Sequence, residues 1–488
     1  MALTEQEEQE ARRLLTAFQR AKRINELEWA EGDPGDMIVA VENDEWFTVA
    51  MDLREAVKVA SNPMAGRYWD ETNASPDSAM YYGSLSALQE LPQKLGLGRY
   101  LVTDNRIRRK LDPTDSTRFE DGSPAKLDGS MGQCMWCWNA HYYTTWREGN
   151  RTVEVITFSP VEGKKSIYVP AGGISWLNAG VLDRTDLKLC SLISEEERYR
   201  GGYGRVLTDY TFLSDDSPYK TMLGMPATAF TLIQVGQYAR KRGEGWEACW
   251  YVARAVIEYT LRIIFGTRNI QSDYQVSLDA NGLRQGGLGT GVTEMIDWYN
   301  FNGMGPLIPT CVGLEKGDGT GIVEYNITQG DGAVVYKAPV PVFFGLVNPF
   351  GHLYTGVRGL LIDWTPERIQ AYVAPSMYTT FDETTVEGLL WAAELPIETE
   401  GFIKSYSTHL LCCLPTELGA TPSTFFCDYY YNRFSDRGNI RYRAANDRAN
   451  VKTSAGICVT DIAYGLYNTV SHLTFPLCYF EEDPRLAN

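Results

Sequence analysis

Histidine is scarce in this 488-residue sequence: His141, His352, His409 and His472 are its only four, and they stand far apart. Neither HExxH nor GxSxG occurs, which removes the paired-histidine zinc helix and the strained serine elbow from consideration. Positive charge is short as well. Lys plus Arg number 45 against 62 Asp plus Glu, a formal net charge of −17, so a broad nucleic-acid or anionic-membrane surface is not expected. No apolar run approaches the ~18 residues of a spanning helix, so no membrane insertion is expected. The amino end, MALTEQEEQEARR, lacks the basic-then-apolar order of a secretory signal, and the expectation is a chain soluble as made.

Cysteine is too dilute for a disulfide scaffold, at ten residues. Cys134-x-x-Cys137 has no second pair at zinc-site spacing, and Cys412-Cys413 would point apart in a strand. Buried structural thiols are the expectation, with no metal and no cofactor. Gly286-Gly287-Leu288-Gly289-Thr290-Gly291 has no strand leading in and no GK[ST] following, so it reads as a turn and not a phosphate cradle. Gly317-Asp318-Gly319-Thr320-Gly321 offers one carboxylate, too few for calcium, and reads as a hairpin tip.

What is present is glycine (45), tyrosine (29) and tryptophan (12), a balance suited to a loop-rich fold. Residues 1–35 read as an amphipathic helix. Thr4 and Glu7 form a capping box, and Ala11, Leu14, Leu15, Phe18, Ala21, Ile24 and Leu27 share one stripe before Gly32-Asp33-Pro34-Gly35 ends it. A striped terminal helix needs a surface to pack on, so Leu14, Leu15, Phe18, Ile24 and Leu27 are candidate attachment or oligomerisation residues. Residues 36–66 read as a small connecting segment whose alternation, from Met37, predicts a hairpin. From residue 67 to 488 short aromatic runs alternate with glycine turns, and two helices stand out, over about 227–242 and 246–265. That unit reads as one large α+β domain.

Several blocks stand in a telling order: Tyr68-Trp69-Asp70, LPQKLGLGRYLVTDN from Leu91, SPAKLDGSMGQCMWCWNAHYYTTWREGN from Ser123, RYRGGYG from Arg198, FFGLVNPFGHLYTGVRGLLI from Phe343 and the terminal segment from Phe425. In this order they resemble a group of bacteriophage fibre and surface proteins, especially from phages of gut Bacteroidales, including crAss-like phages. The resemblance runs from about Arg67 to Phe480. It implies a C-type-lectin-like main domain of the large formylglycine-generating-enzyme type, behind an amino-terminal helical anchor. Some members vary the terminal segment through a diversity-generating retroelement. This chain departs from the pattern at Ala444-Ala445-Asn446-Asp447-Arg448 and at Phe475-Pro476-Leu477-Cys478.

The resemblance implies a virion structural protein, a head or tail fibre or receptor-binding adhesin, assembled in the host cytoplasm as a homo-oligomer, with a trimer favoured by analogy. Its partners would be other virion proteins, of capsid or tail, and a host cell-surface glycan or protein. The expected binding region is 425–480. Its candidate receptor residues are Arg441, Tyr442, Arg443, Asn446, Asp447, Arg448, Asn450, Lys452, Asp461, Tyr464, Tyr467 and Asn468, side chains that combine amphipathic area with adaptable hydrogen bonding. A solvated loop reads equally well from the residues alone. No catalytic residue is assigned. The alternatives are a capsule depolymerase, which needs only two suitably spaced carboxylates, and a purely structural capsid decoration. Trp136, Trp138, Tyr142, Tyr143 and Trp146 would suit sugar stacking, although alternating aromatics on strands more often pack a sheet.

Overall fold

The computed structural model describes residues 38–42 and 48–52 (backbone only), 63–177, 179–199, 201, 225–298, 305–328, 333–378, 382–433 and 438–484. The expected amino-terminal helix, with Leu14, Leu15, Phe18, Ile24 and Leu27, lies outside the described residues. The expected hairpin is present: Ile38–Glu42 pairs antiparallel with Thr48–Asp52.

The α+β expectation is overturned. Among the described residues strand accounts for 37% and helix for 12%, with three α-helices, so this part of the chain is mostly β-sheet and is not an α+β lectin-type body. The two helices visible in the sequence carry long, clear patterns. The strands are short, bulged and glycine-broken, and so weigh less in the sequence than in the fold.

Three sheets make the frame. A five-stranded antiparallel sheet runs in the order Ser166–Val169, His141–Glu148, Arg151–Thr157, Ala65–Asp70, Met80–Gly83. A six-stranded sheet runs Trp246–Ala248, Leu477–Phe480, Gly172–Ser175, Gln133–Trp138, Gly98–Val102, Arg108–Lys110. The largest runs Leu390–Leu395, Ile369–Val373, Tyr354–Trp364, Ile440–Ala445, Thr460–Gly465, Tyr429–Tyr431, Glu400–Ser407, Leu414–Leu418, with Leu473–Thr474 added beside Tyr354–Trp364. Its first and last strands approach each other, so it curls into a nearly closed barrel.

Helix α1 (Leu85–Lys94) is capped by Ser84, which accepts the Ala87 N–H, and tolerates Pro92 near its end. Helix α2 (Leu232–Arg240) starts at a capping box of Thr231 and Gln234. It is shorter than the expected 227–242. Helix α3 (Tyr251–Phe265) begins five residues later than expected, because Trp246–Ala248 pairs as a strand with Leu477–Phe480. Gly266, at φ 65°, ends it in the left-handed conformation.

Every residue of α3 is buried, and the helix touches strands of all three sheets. A helix covered on all sides belongs in a core, and each apolar side chain buried there contributes about 1.5–3 kcal/mol. Nine of the ten cysteines are buried free thiols and Cys311 is exposed, in line with the structural-thiol expectation for those nine. The Gly317–Gly321 segment is a loop against the Gly98–Val102 strand, where Asp318 accepts the Arg99 N–H at 2.7 Å, and not the expected hairpin tip.

Candidate functional site

The polar residues expected to form a receptor patch mostly point inward. Arg441, Tyr442 and Arg443 lie on the Ile440–Ala445 strand, in the middle of the largest sheet, and are buried. Arg441 stacks its guanidinium 3.9 Å over the Trp364 ring. Tyr442 packs against Tyr464 and Phe475. Asn446 donates to the Thr355 hydroxyl at 3.0 Å. Asp447 and Asp461 are buried and accept backbone N–H groups of Arg448 and Ala463, each at 2.8 Å. Burial pushes their carboxyls up, to about 7 and about 6. The buried Tyr464 hydroxyl meets His472 Nε2 at 3.1 Å. Arg448, Asn450 and Asn468 are half-buried, which leaves Lys452 and Tyr467 exposed, the latter at 70%. Seven of the twelve are therefore core residues, unavailable to a partner.

For Arg443 the reason lies in α3. Arg254, Glu258 and Arg262 stand four residues apart on a helix otherwise apolar, and all three are buried. Glu258 Oε1 accepts from Arg254 Nε and from Arg443 Nη2, each at 2.8 Å, and its Oε2 accepts from the Tyr406 hydroxyl at 2.8 Å. Burial alone would raise the Glu258 carboxyl, but the charges of Arg443 and Arg254 overcome it and hold the group below its usual range. Arg443 is thus an internal counter-ion. The i, i+4 spacing of charges inside an apolar helix is the sequence signal for such an internal pairing.

The same network reaches the surface at a cleft of about 340 Å³ between the five-stranded sheet and the Glu400–Ser407 strand. Arg262 pairs with Glu154 on the cleft floor at 3.2 Å, and Tyr406 lines the wall. Beside them Arg268 grips Glu71 with two bonds of 2.7 and 3.0 Å, its guanidinium held between Trp69 and Phe426. Burial pushes the Glu71 carboxyl up, yet the bonds from Arg268 and its charge leave it below the ordinary range.

Of the five aromatics considered for sugar stacking, Trp136, Trp138 and Tyr143 are buried. Tyr142 packs on Tyr168. Trp146 is different: half-buried, its indole lies on the face of the strand opposite Arg147, edge-on to Tyr82 with ring centres 5.4 Å apart, its N–H fixed on Glu148 at 2.6 Å and the Lys164 ammonium 4.9 Å from its ring centre. Arg147 follows it on the exposed lip. Across the cleft His409 is exposed and faces Trp391, itself 49% exposed, with ring centres 6.2 Å apart. Partial burial and the charge of Lys165 lower the His409 imidazole.

A second, larger cleft of about 520 Å³ lies by Asp104, Asp183, Lys188 and Arg242, but its charges are matched among themselves: Lys188 and Arg242 both hold Asp104, at 2.9 and 2.6 Å. Among the described residues no group of three or more His, Cys, Asp or Glu gathers as a metal site, and no helix is long and apolar enough to cross a membrane. No protein-family model matches the sequence, and no curated protein matches it.

Both carboxylates of the 340 Å³ cleft are tied to arginines. Glycoside hydrolysis needs an acid with a raised pKa facing a second carboxylate. Here Glu71 is held low and Glu154 is tied to Arg262. What remains is a volume within the ~300–1,000 Å³ of small-ligand sites, lined by polar side chains above two arginine–carboxylate bridges.

Proposed function

We propose that this chain is a surface protein of a bacteriophage particle that attaches to the host cell through a binding cleft. The ordered fibre-protein blocks from about Arg67 to Phe480 support the viral part of this reading. The observation that carries the binding part is a cleft whose floor is locked by two arginine–carboxylate bridges, with the exposed Arg147 on one lip and the exposed His409 across from it. Locked side chains lose little entropy when a ligand arrives, which favours recognition. The receptor contacts thus move from the terminal segment to the cleft.

The test is competition. Purified full-length chain, added to host cells ahead of particles, is expected to reduce adsorption in proportion to its concentration. An Arg147→Ala, His409→Ala chain is expected to compete poorly. Equal competition by the two proteins, or none by either, would contradict the reading.

A further inference from the structure

Away from the cleft, a cavity of about 20 Å³ lies where three segments meet: the loop carrying Ile308 and Thr310, the turn from Val347 to Leu353, and Asn446 after the Ile440–Ala445 strand. That volume is enough for one water molecule, which needs roughly 10–15 Å³ by the same measure. Asn348, His352 and Asn446 on its wall have φ of 51°, 99° and 62°. Non-glycine residues keep such left-handed backbone only where their surroundings hold it. The wall is also polar. Thr310 and Asn446 are each 2% exposed, and Thr310 Oγ1 and Asn446 Oδ1 have no hydrogen-bond partner among the described residues. The Asn446 amide is oriented by its Nδ2, which donates to the Thr355 hydroxyl at 3.0 Å. His352 Nε2 accepts the Leu307 N–H at 2.8 Å, so the ring, which burial keeps neutral, carries its proton on Nδ1. Thr474 on the same wall is already paired: its hydroxyl accepts the Gly180 N–H at 3.2 Å and donates to the Ala227 carbonyl at 2.9 Å.

We infer that this cavity is a binding site for one internal water molecule, which bridges Thr310, His352 and Asn446 and so joins the terminal segment to two loops. The water donates to Asn446 Oδ1 and accepts from the Thr310 hydroxyl and from His352 Nδ1–H. Three bonds are the usual complement of an internal water. A buried hydroxyl and a buried amide oxygen without partners each carry a desolvation cost, and one water relieves both. The same bonds pin the side chains of His352 and Asn446 and help hold their left-handed backbone. A bound cation could use the two oxygens but would meet the Nδ1 proton of His352, and an apolar occupant would leave both oxygens unmatched. The site stands whether or not the cleft binds a host ligand.

A crystal structure of the full chain, at a resolution that shows ordered water, tests this together with two variants. A solvent peak is expected about 2.7–3.2 Å from Thr310 Oγ1, Asn446 Oδ1 and His352 Nδ1. An empty cavity, a direct bond between Thr310 and Asn446 in its place, or a peak with the ligand number of a metal ion would each overturn the inference. Thr310→Val keeps nearly the same volume and removes the hydroxyl, so it should lose the peak and lower Tm by about 1–3 °C. Thr310→Ser keeps the hydroxyl and should keep the peak, which separates the loss of a bond from a change of volume. A peak that survives Thr310→Val, a peak lost in Thr310→Ser, or a Tm unchanged by Thr310→Val would overturn the bridging role.

Discussion

At the scale of single residues, the same side-chain chemistry does opposite work according to where the counter-charge stands. Arg443 and Arg147 are both strand arginines. Arg443 faces Glu258 inside the core, whereas Arg147 has open water before it. Removing one partner of a buried pair leaves a charge stranded, so Arg443→Met is expected to cost about 3–5 kcal/mol in denaturant unfolding. Tyr467→Ala, at an exposed site, should stay within about 0.5 kcal/mol. Equal effects would show that the burial of Arg443 is wrong. The carboxyls give a pH signature. Burial pushes Asp428 up to about 8 and Asp447 up to about 7, well above the ~3.9 of an unfolded aspartate. The stability carried by these retained protons is complete below about pH 4 and is lost as pH rises through 7 and 8. Burial lowers His141 and His352, to about 4 and about 3, so their contribution is lost only as pH falls below about 6.5. Between pH 6.5 and 8.5 the urea midpoint is therefore expected to drop, and Asp428→Asn should flatten the drop. A midpoint that holds or rises over that window would contradict the assignment.

At the scale of elements, the sequence pattern was read well where a segment's structure depends on itself and poorly where it depends on a distant partner. The Ile38–Glu42 hairpin and the body of α3 answer to local alternation and helical spacing, and both are present. Trp246–Ala248 continues the helical pattern but is drawn into a strand by Leu477–Phe480, more than two hundred residues away. Helix α1 was missed because Pro92 and the glycines after it hide a helix that Ser84 caps. The Thr231–Gln234 box that starts α2 is a local signal for where the helix begins, inside the expected 227–242. Polar density in the terminal segment reads as a receptor patch, since composition alone cannot say that α3 carries the acid that balances Arg443. Helix α3 itself depends on its left-handed stop. At Gly266 a Cβ would meet the Arg67 guanidinium at 2.8 Å, on top of the strain of φ 65°. Gly266→Ala is expected to cost more than about 1 kcal/mol, read as a lowered Tm with the helix content of the folded state retained. No change in Tm would mean that the helix end is free to move.

At the scale of the whole molecule, three sheets converge on one buried helix, and the charge chain of α3 ties the core to a cleft at the surface. A floor held by Glu154–Arg262 and Glu71–Arg268 keeps its lips in place, so the lip residues can change without disturbing the fold. Little of this was legible beforehand: Trp146 appeared among five candidate stacking residues, but its exposure is set by the pleat of its strand and by Glu148, neither of which composition reveals. The most direct measurement is the adsorption rate of particles assembled with an Arg147→Ala, His409→Ala chain. The account predicts that such particles take up the protein in normal amount and adsorb to host cells much more slowly. Normal uptake with an adsorption rate equal to that of unaltered particles would contradict it.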